Sequence, residues 1–331
     1  MDLNRFKKAE LHIHLDGSLR SKTVLDIAKE QSILLPTYDL AELGSYLSIS
    51  NQMKHLSEYL EKFDIPIKIL QTKKALKRAS FEFVADAFKL GYIYSEVRFS
   101  PHLMVKGGLN MEDVVKSSLS GLKKGNEKYG IETNLILCIL RHHSQEVGFE
   151  TVELANHYKT KGVVGIDLAG DEYNYSAKKF AKVFERAKRL GIPYTIHAGE
   201  AVGKESIWEA ISFEPNRLGH GVRAFEDRKL LDKIRAENIC LEFCPVSNFQ
   251  TRVLADFADY PIKKFLDMGI KVSLNSDNRT VSDTNYEKEV ELLRGYFEID
   301  ENELIQMNKN AIESAFVSPQ HKATLLKRVE E

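Results

Sequence analysis

Short apolar, β-branched runs alternate along the chain with longer stretches in which apolar positions recur every three or four residues. Eight runs have the length and composition of strands: AELHIHL, YIYSEVRFS, ETNLILCIL, VVGIDLAG, PYTIHAGE, RLGHGV, ICLEFCP and KVSLNSD. Helical patterns fill most of the intervals, among them MEDVVKSSLSGLKKGNEKYG, SAKKFAKVFERAKRLG and DRKLLDKIRAEN. The first two close on glycine, which suits a helix C-cap. Alternation of this kind implies parallel strands joined by crossover helices. Eight such units predict an α/β fold of the (β/α)8 TIM-barrel type. An open doubly wound sheet is the alternative, but no GxGxxG follows the first strand, which counts against its dinucleotide-binding version. A mostly helical insertion, about residues 38–70, follows the first strand, and about residues 300–331 read as two further helices separated near VSP. No repeat, low-complexity segment or linker divides the chain, so residues 1–331 are read as one domain.

Composition narrows the function classes. The chain has 331 residues, 43% of them hydrophobic, which is enough for a large core. Its formal net charge of −1 gives no general attraction to nucleic acid or to an anionic membrane. No run of about 18 apolar residues appears, and MDLNRFKKAE lacks the apolar segment of a secretory signal. Cys138, Cys240 and Cys244 are too few and too irregular for a disulfide framework, and read as buried thiols. A cytoplasmic enzyme acting on a small molecule is expected, with no obligatory protein partner.

The candidate chemistry begins in the first strand. Residues i and i+2 of a strand share a face, so His12 and His14 point together and Ile13 points away. Two satisfied core histidines are the plain reading. It is weakened because both imidazoles need partners for both ring nitrogens on one face. Barrel active sites form at strand C-termini, and His197 and Asp277 stand where the runs YTIHAGE and VSLNSD leave the core. Three imidazoles and one carboxylate suit zinc, which could ionise a bound water near neutral pH. Glu200, three past His197, is a candidate proton carrier; the alternative is an N-terminal charge for the next helix. His220, between glycines in RLGHGV, is either a further site residue or a loop imidazole. Arg98 and His102 are read as organising the end of the second strand, His142 and His143 as loop residues, and Trp208 as packing.

The runs AELHIHLDGS, EVRFSPHLM, GIDLAGDE, HAGE, GHGV, CPVSN and SLNSD occur in this order over most of the chain. In this the chain resembles the adenosine deaminase family of the amidohydrolase superfamily. The resemblance implies one Zn2+ per chain held by His12, His14, His197 and Asp277, and hydrolysis of adenosine or 2′-deoxyadenosine at purine C6. It implies that Glu200 protonates N1, that His220 orients the attacking water, and that Asp277 also accepts the water's proton. Gly170 corresponds to the glycine whose N–H meets N3. Asp16 corresponds to the ribose 5′-hydroxyl partner, shared with His14, and lies on the same side if the strand continues. Tyr59, Leu60 and Phe63 correspond to an apolar lid; a plain amphipathic helix is the other reading.

The chain departs from the family in one run, SDNRTVSDT. Asn278 stands where many members have a second aspartate, and Arg279 replaces a proline. Purine N7 is an acceptor, so an amide can donate to it directly where an ionised carboxylate cannot. Asn278 is therefore expected to keep the N7 contact, and some bacterial members carry the D-N-R form. The cytidine-deaminase signatures HxE and PCxxC are absent. Remaining alternatives are a deaminase of adenine, methylthioadenosine or another adenosine derivative, another metal-dependent hydrolase of the superfamily, or a non-catalytic binding barrel.

Overall fold

The computed structural model describes residues 7–49 and 56–330. Eight strands pair in parallel and in sequence order: β1 (Lys8–His14), β2 (Tyr92–Phe99), β3 (Glu132–Leu140), β4 (Val163–Ala169), β5 (Tyr194–Ala198), β6 (Arg217–His220), β7 (Cys240–Phe243) and β8 (Val272–Leu274). Every predicted strand is present, and the expected (β/α)8 architecture is the observed one. All but β3 end earlier than their apolar runs suggested, including the three whose runs carry the predicted metal ligands. KVSLNSD stops being a strand at Leu274, PYTIHAGE at Ala198 and AELHIHL at His14.

The three-residue β8 is joined to β1 by the Asn275 side chain and by a backbone bridge beyond the strand's end. Asn275 Oδ1 accepts from the backbone N–H groups of Leu11 (2.9 Å) and His12 (3.1 Å). Further along, His14 N–H donates to the Asp277 carbonyl (2.7 Å) and Asp277 N–H to the His12 carbonyl (3.0 Å). These bonds clamp Asp277 beside the two histidines of β1.

The two faces of the strands have opposite character. Outward residues such as Ile13, Val97, Ile166, Ile196, Leu218 and Leu241 pack under the helices in the main apolar core. Inward residues include a network of buried charge. Arg98 reaches Asp167 (3.0 Å) and Glu242 (3.0 Å) and donates to the Leu11 carbonyl. Arg217 reaches Glu242 (2.6 Å) and Glu96 (2.7 Å). These pairs join β2 to β4 and β7, and β6 to β7 and β2; the contacts between non-neighbouring strands cross the barrel interior. The usual filling is bulky aliphatic residues.

Helices cover the outside. Met111–Tyr129 starts at an Asn110 side chain that accepts from Asp113 N–H and stops at Gly130, whose φ is +68°. The insertion is built from Leu40–Leu47, Leu56–Leu60, Asp64–Ile69 and a short turn, Glu61–Phe63. Glu301–Ser314 and Pro319–Glu330 are the two predicted terminal helices, separated around Val317 and Ser318. No helix among the described residues is long and apolar enough to cross a membrane.

Candidate active site

The C-terminal ends of the strands surround a cavity of about 240 Å³ whose wall is mostly apolar, with polar groups converging on its floor. His12 and His14, two apart on β1, share the inward face as expected. Asp277 Oδ1 lies 3.4 Å from Nε2 of each. His197, at the end of β5, brings its ring centroid to 4.5 Å from that of His12 and 5.5 Å from that of His14. All four residues predicted to bind metal therefore cluster around His12, although they come from three separate parts of the sequence.

Their outer nitrogens are engaged by carboxylates. His12 Nδ1 lies 2.8 Å from Glu242 Oε2, and His197 Nδ1 lies 3.1 Å from Asp167 Oδ1. A carboxylate there accepts the Nδ1–H hydrogen bond and leaves the Nε2 lone pair facing the site, the usual support of a metal-binding imidazole. Glu242 and Asp167 were not singled out from sequence. His12 Nε2 is buried with no hydrogen-bond partner, an orphaned polar atom aimed at its neighbours' donors. Three imidazoles and a carboxylate form the donor set of a divalent transition metal, so the residues fit such an ion. His220 also comes within ligand reach of His12 and His197, their nitrogens lying within 4.8 Å of one another.

Spacing around the floor is tight. A Cβ on Gly219, in β6, would lie 3.1 Å from His12 Cε1 and from His197 Cα, so a larger residue would press on both rings. His220 and Asp277 have φ of +59° and +56°, a conformation non-glycine residues seldom adopt. Strain of this kind concentrates at functional sites, and here it falls on two adjoining site residues.

Glu200 follows β5 in the loop 199–202, not in the first turn of the next helix, which begins at Lys204. Its Oε2 is 3.4 Å from His220 Nε2. Burial, reinforced by the charges of Asp277 and Glu172, raises its carboxyl well above the ordinary range. Asp277 moves the opposite way. Burial acts to raise it, but the hydrogen bond and charge of His12 and the charges of His14 and His220 hold it well below the usual carboxylate range. Burial pushes His14 down to about 3. The site thus pushes its two carboxyls in opposite directions, the kind of separation an acid–base pair requires.

Sequence reasoning also missed Glu172. Its carboxylate accepts from four successive backbone N–H groups, Gly199 (2.6 Å), Glu200 (3.0 Å), Ala201 (2.6 Å) and Val202 (3.2 Å), and so fixes the loop that carries Glu200. Arg141 supports the adjoining strand end by donating to the His197 carbonyl (2.6 Å). The GDE of GIDLAGDE was legible as a motif, but nothing in it revealed which backbone its glutamate would hold.

The remaining predicted contacts line the cavity, with corrections. Asp16 does not continue β1; it opens a short turn, Asp16–Ser18, yet still faces the cavity. Its Oδ1 has no partner, and burial raises its carboxyl to about 7. Gly170 lies past β4 with φ +93°, and that backbone, more than crowding by the protein, requires glycine; the nearest atoms to an added Cβ are 3.6 Å away. Asn278 faces the cavity, but its Nδ2 donates to the Tyr59 hydroxyl (2.8 Å), which also meets Ser282 Oγ (2.7 Å). Tyr59, Leu60 and Phe63 all line the cavity, so the insertion covers it and is not merely packed on the barrel. His142 lines it too, beyond the loop role expected. Arg98 stands at the end of β2 as expected, but its guanidinium turns into the barrel centre. Trp208 packs against the core and donates to Asp227 (3.0 Å).

Comparison with known proteins agrees with this geometry. The adenosine deaminase family profile matches residues 7–331. The chain is 41% identical over 326 residues to an adenosine deaminase of Clostridium botulinum (strain Kyoto / Type A2), covering 98% of this chain and 97% of that protein. It is 38% identical over 336 residues to an adenosine deaminase of Haemophilus ducreyi, covering 100% and 98%. Among solved structures, an adenine deaminase from Arthrobacter aurescens superposes with a TM-score of 0.89 at 27% identity, covering 98% of each chain. The N6-methyl-AMP deaminase of Arabidopsis thaliana does so with a TM-score of 0.87 at 25% identity, covering 99% of this chain and 97% of that one. A barrel whose strand ends gather His12, His14, His197, Glu200 and Asp277, matched over nearly its whole length by these relatives, belongs to the adenosine deaminase family.

Proposed function

We propose that this enzyme hydrolyses adenosine and 2′-deoxyadenosine to the inosine-type product and ammonia, with one zinc ion per chain. The observation that carries the reading is the placement of Glu200 beside His220 and Asp277, where Asp277 also meets His12 and His14. Zinc is the ion this set suits, and when bound it lowers the pKa of a water to about 7 and so supplies hydroxide at neutral pH.

The chain's own residues then divide the proton work. Glu200, kept neutral by burial, donates its proton to purine N1 and makes C6 electrophilic. Asp277, kept ionised, accepts the proton of the attacking water. The water oxygen bonds to C6, the C6–N bond breaks, and the amino group leaves as ammonia with the proton returned from Asp277, while the C6 hydroxyl proton restores Glu200. Gly170 N–H meets purine N3. Asp16 and His14 meet the 5′-hydroxyl, and the second N–H of Asn278 is directed to N7. Tyr59, Leu60 and Phe63 keep bulk water from the sugar end.

The cavity wall argues for a nucleoside over a nucleotide. Among the described residues it contains Asp16, Asp171, Glu200 and Asp277 and no lysine or arginine. A 5′-phosphate would meet Asp16 at the sugar end, with no cationic side chain among the described wall residues to offset it. The three free, buried cysteines support a reducing, cytoplasmic setting.

The test is ammonia release over adenine, adenosine, 2′-deoxyadenosine, AMP and methylthioadenosine, with the metal content of the same sample. Adenosine and its 2′-deoxy form are expected to give the highest kcat/KM, chelation to abolish the activity and zinc to restore it. A higher kcat/KM for AMP or free adenine overturns the nucleoside assignment.

A further inference from the structure

His12, His197 and His220 crowd together, yet their outer nitrogens face different chemistry. Carboxylates stand behind His12 and His197. Behind His220 stands an amide: Asn248 Nδ2 lies 3.1 Å from His220 Nδ1. Asn248 belongs to the short helix Pro245–Gln250 that follows β7, and is buried. Its orientation is set by Tyr260, whose buried hydroxyl lies 2.8 Å from Asn248 Oδ1. A phenol has one proton to give, and Asn248 Oδ1 is its acceptor here. Turning the amide round would leave that proton facing an NH2 group, and buried donors without acceptors are rare.

From this relay we infer that Asn248 and Tyr260 are positioning residues that lock His220 as the tautomer with bare Nδ1 and a proton on Nε2. The inference builds on the deaminase reading. Tyr260 donates to Asn248, Asn248 donates to His220 Nδ1, and a neutral imidazole that accepts at Nδ1 carries its hydrogen at Nε2. That nitrogen faces Glu200 Oε2 at 3.4 Å. Two consequences follow. His220 lacks a free Nε2 lone pair, so it does not ligate a metal despite its proximity. It also cannot take a proton from the attacking water, and acts as a donor that holds the water oxygen, which leaves Asp277 as the base.

The test uses zinc-loaded full-length protein labelled with 15N-histidine, read by long-range 1H–15N correlation. His220 signals are assigned by their loss in His220→Gln. The expected spectrum has an unprotonated Nδ1 and a protonated Nε2. Asn248→Asp presents an acceptor in place of the donor and is expected to reverse the two. With the reversal, kcat should fall on the order of a hundredfold while KM and zinc content hold near wild type. Tyr260→Phe frees the amide and is expected to give mixed tautomers with a smaller loss of kcat. A wild-type His220 protonated at Nδ1 overturns the inference, and so does a reversed Asn248→Asp with wild-type kcat. If Asn248→Asp does not fold, the wild-type spectrum decides. Ammonia release by the wild type separates failure of the deaminase reading, because the imidazole spectrum reports hydrogen bonding whatever is turned over.

Discussion

Glu242 ties the proposed metal site to the barrel's charged interior, and replacing it by glutamine separates two effects that would otherwise be confused. Its carboxylate meets His12 Nδ1 (2.8 Å), Arg98 (3.0 Å) and Arg217 (2.6 Å), all buried. Glutamine keeps the shape and can still accept from His12, but it removes the charge. His12 then becomes a poorer electron donor, and the two guanidiniums behind it keep only Asp167 and Glu96 to offset them. Losing an outer partner of a metal-binding histidine typically weakens the metal by about 10- to 100-fold, or about 1.4–2.8 kcal/mol. The same change breaks a buried ion network, which costs about 3–5 kcal/mol of folding stability against a total of about 5–15.

Glu96→Gln is the matched control. Glu96 pairs with Arg217 (2.7 Å) and accepts from Tyr94 (2.7 Å) and Phe316 N–H (2.6 Å), but touches no histidine. Both variants should melt several degrees or more below wild type. Only Glu242→Gln should weaken zinc, measured by competition with a chromophoric chelator at a temperature where both variants are folded. Equal zinc loss in both would mean that affinity follows global stability. Wild-type affinity in Glu242→Gln would mean that the 2.8 Å contact to His12 does not support the metal. Either result refutes the reasoning.

Other outcomes follow from the same geometry. Glu200→Gln should lower kcat by about 10²- to 10⁴-fold while zinc, measured by elemental analysis, stays bound; near-normal turnover would remove Glu200 from the proton transfer. 7-Deazaadenosine should be processed less efficiently than adenosine, and equal kcat/KM would show that Asn278 makes no useful bond to N7. Glu289 is buried beside Thr284 and Val246 N–H, and burial raises its carboxyl from 4.5 to about 8. Between those values the folded protein holds a proton that the unfolded chain has released, so stability is fullest at the acid end and declines as pH rises toward 8. Glu289→Gln, neutral throughout, should flatten the fall in Tm between pH 5 and 8; an unchanged slope would assign the decline to other groups.

The barrel was legible because its outer faces obey the ordinary rule. Ile166, Leu168, Ile196 and Leu241 give the apolar runs from which the strands were read. The inner faces were equally patterned but were not read. Glu10, His12 and His14 recur at every second position in β1, as do Tyr94, Glu96 and Arg98 in β2. Parallel strands buried on both sides normally read as continuous apolar runs. The alternation was therefore the signal of a polar interior, and only its two histidines were used. Glu242 and Asp167, each a lone acidic residue in an apolar run, could have been found in the same way. Asn275 was harder to find, since a side chain replacing a ladder bond leaves no periodic trace.

Glu172, Asn248 and Tyr260 were illegible for a different reason. Each acts on a loop or ring that the fold brings to it, across 27 to 30 residues for Glu172 and 28 for Asn248. Their value lies in what they leave free. Glu172 holds four amides of the 199–202 loop and so spares the Glu200 side chain for the cavity. Glu242 and Asp167 accept at Nδ1 and turn His12 and His197 into lone-pair donors. Asn248 donates at Nδ1 and turns a third imidazole of the same kind into a proton donor. Three histidines whose ring centroids lie 4.5–5.2 Å apart are thus given two chemistries by the groups behind them. Assigning roles from residue type alone would have treated all three as equivalent. The partner behind each ring separates ligand from donor, and it can be exchanged by single substitutions that leave the reacting face in place.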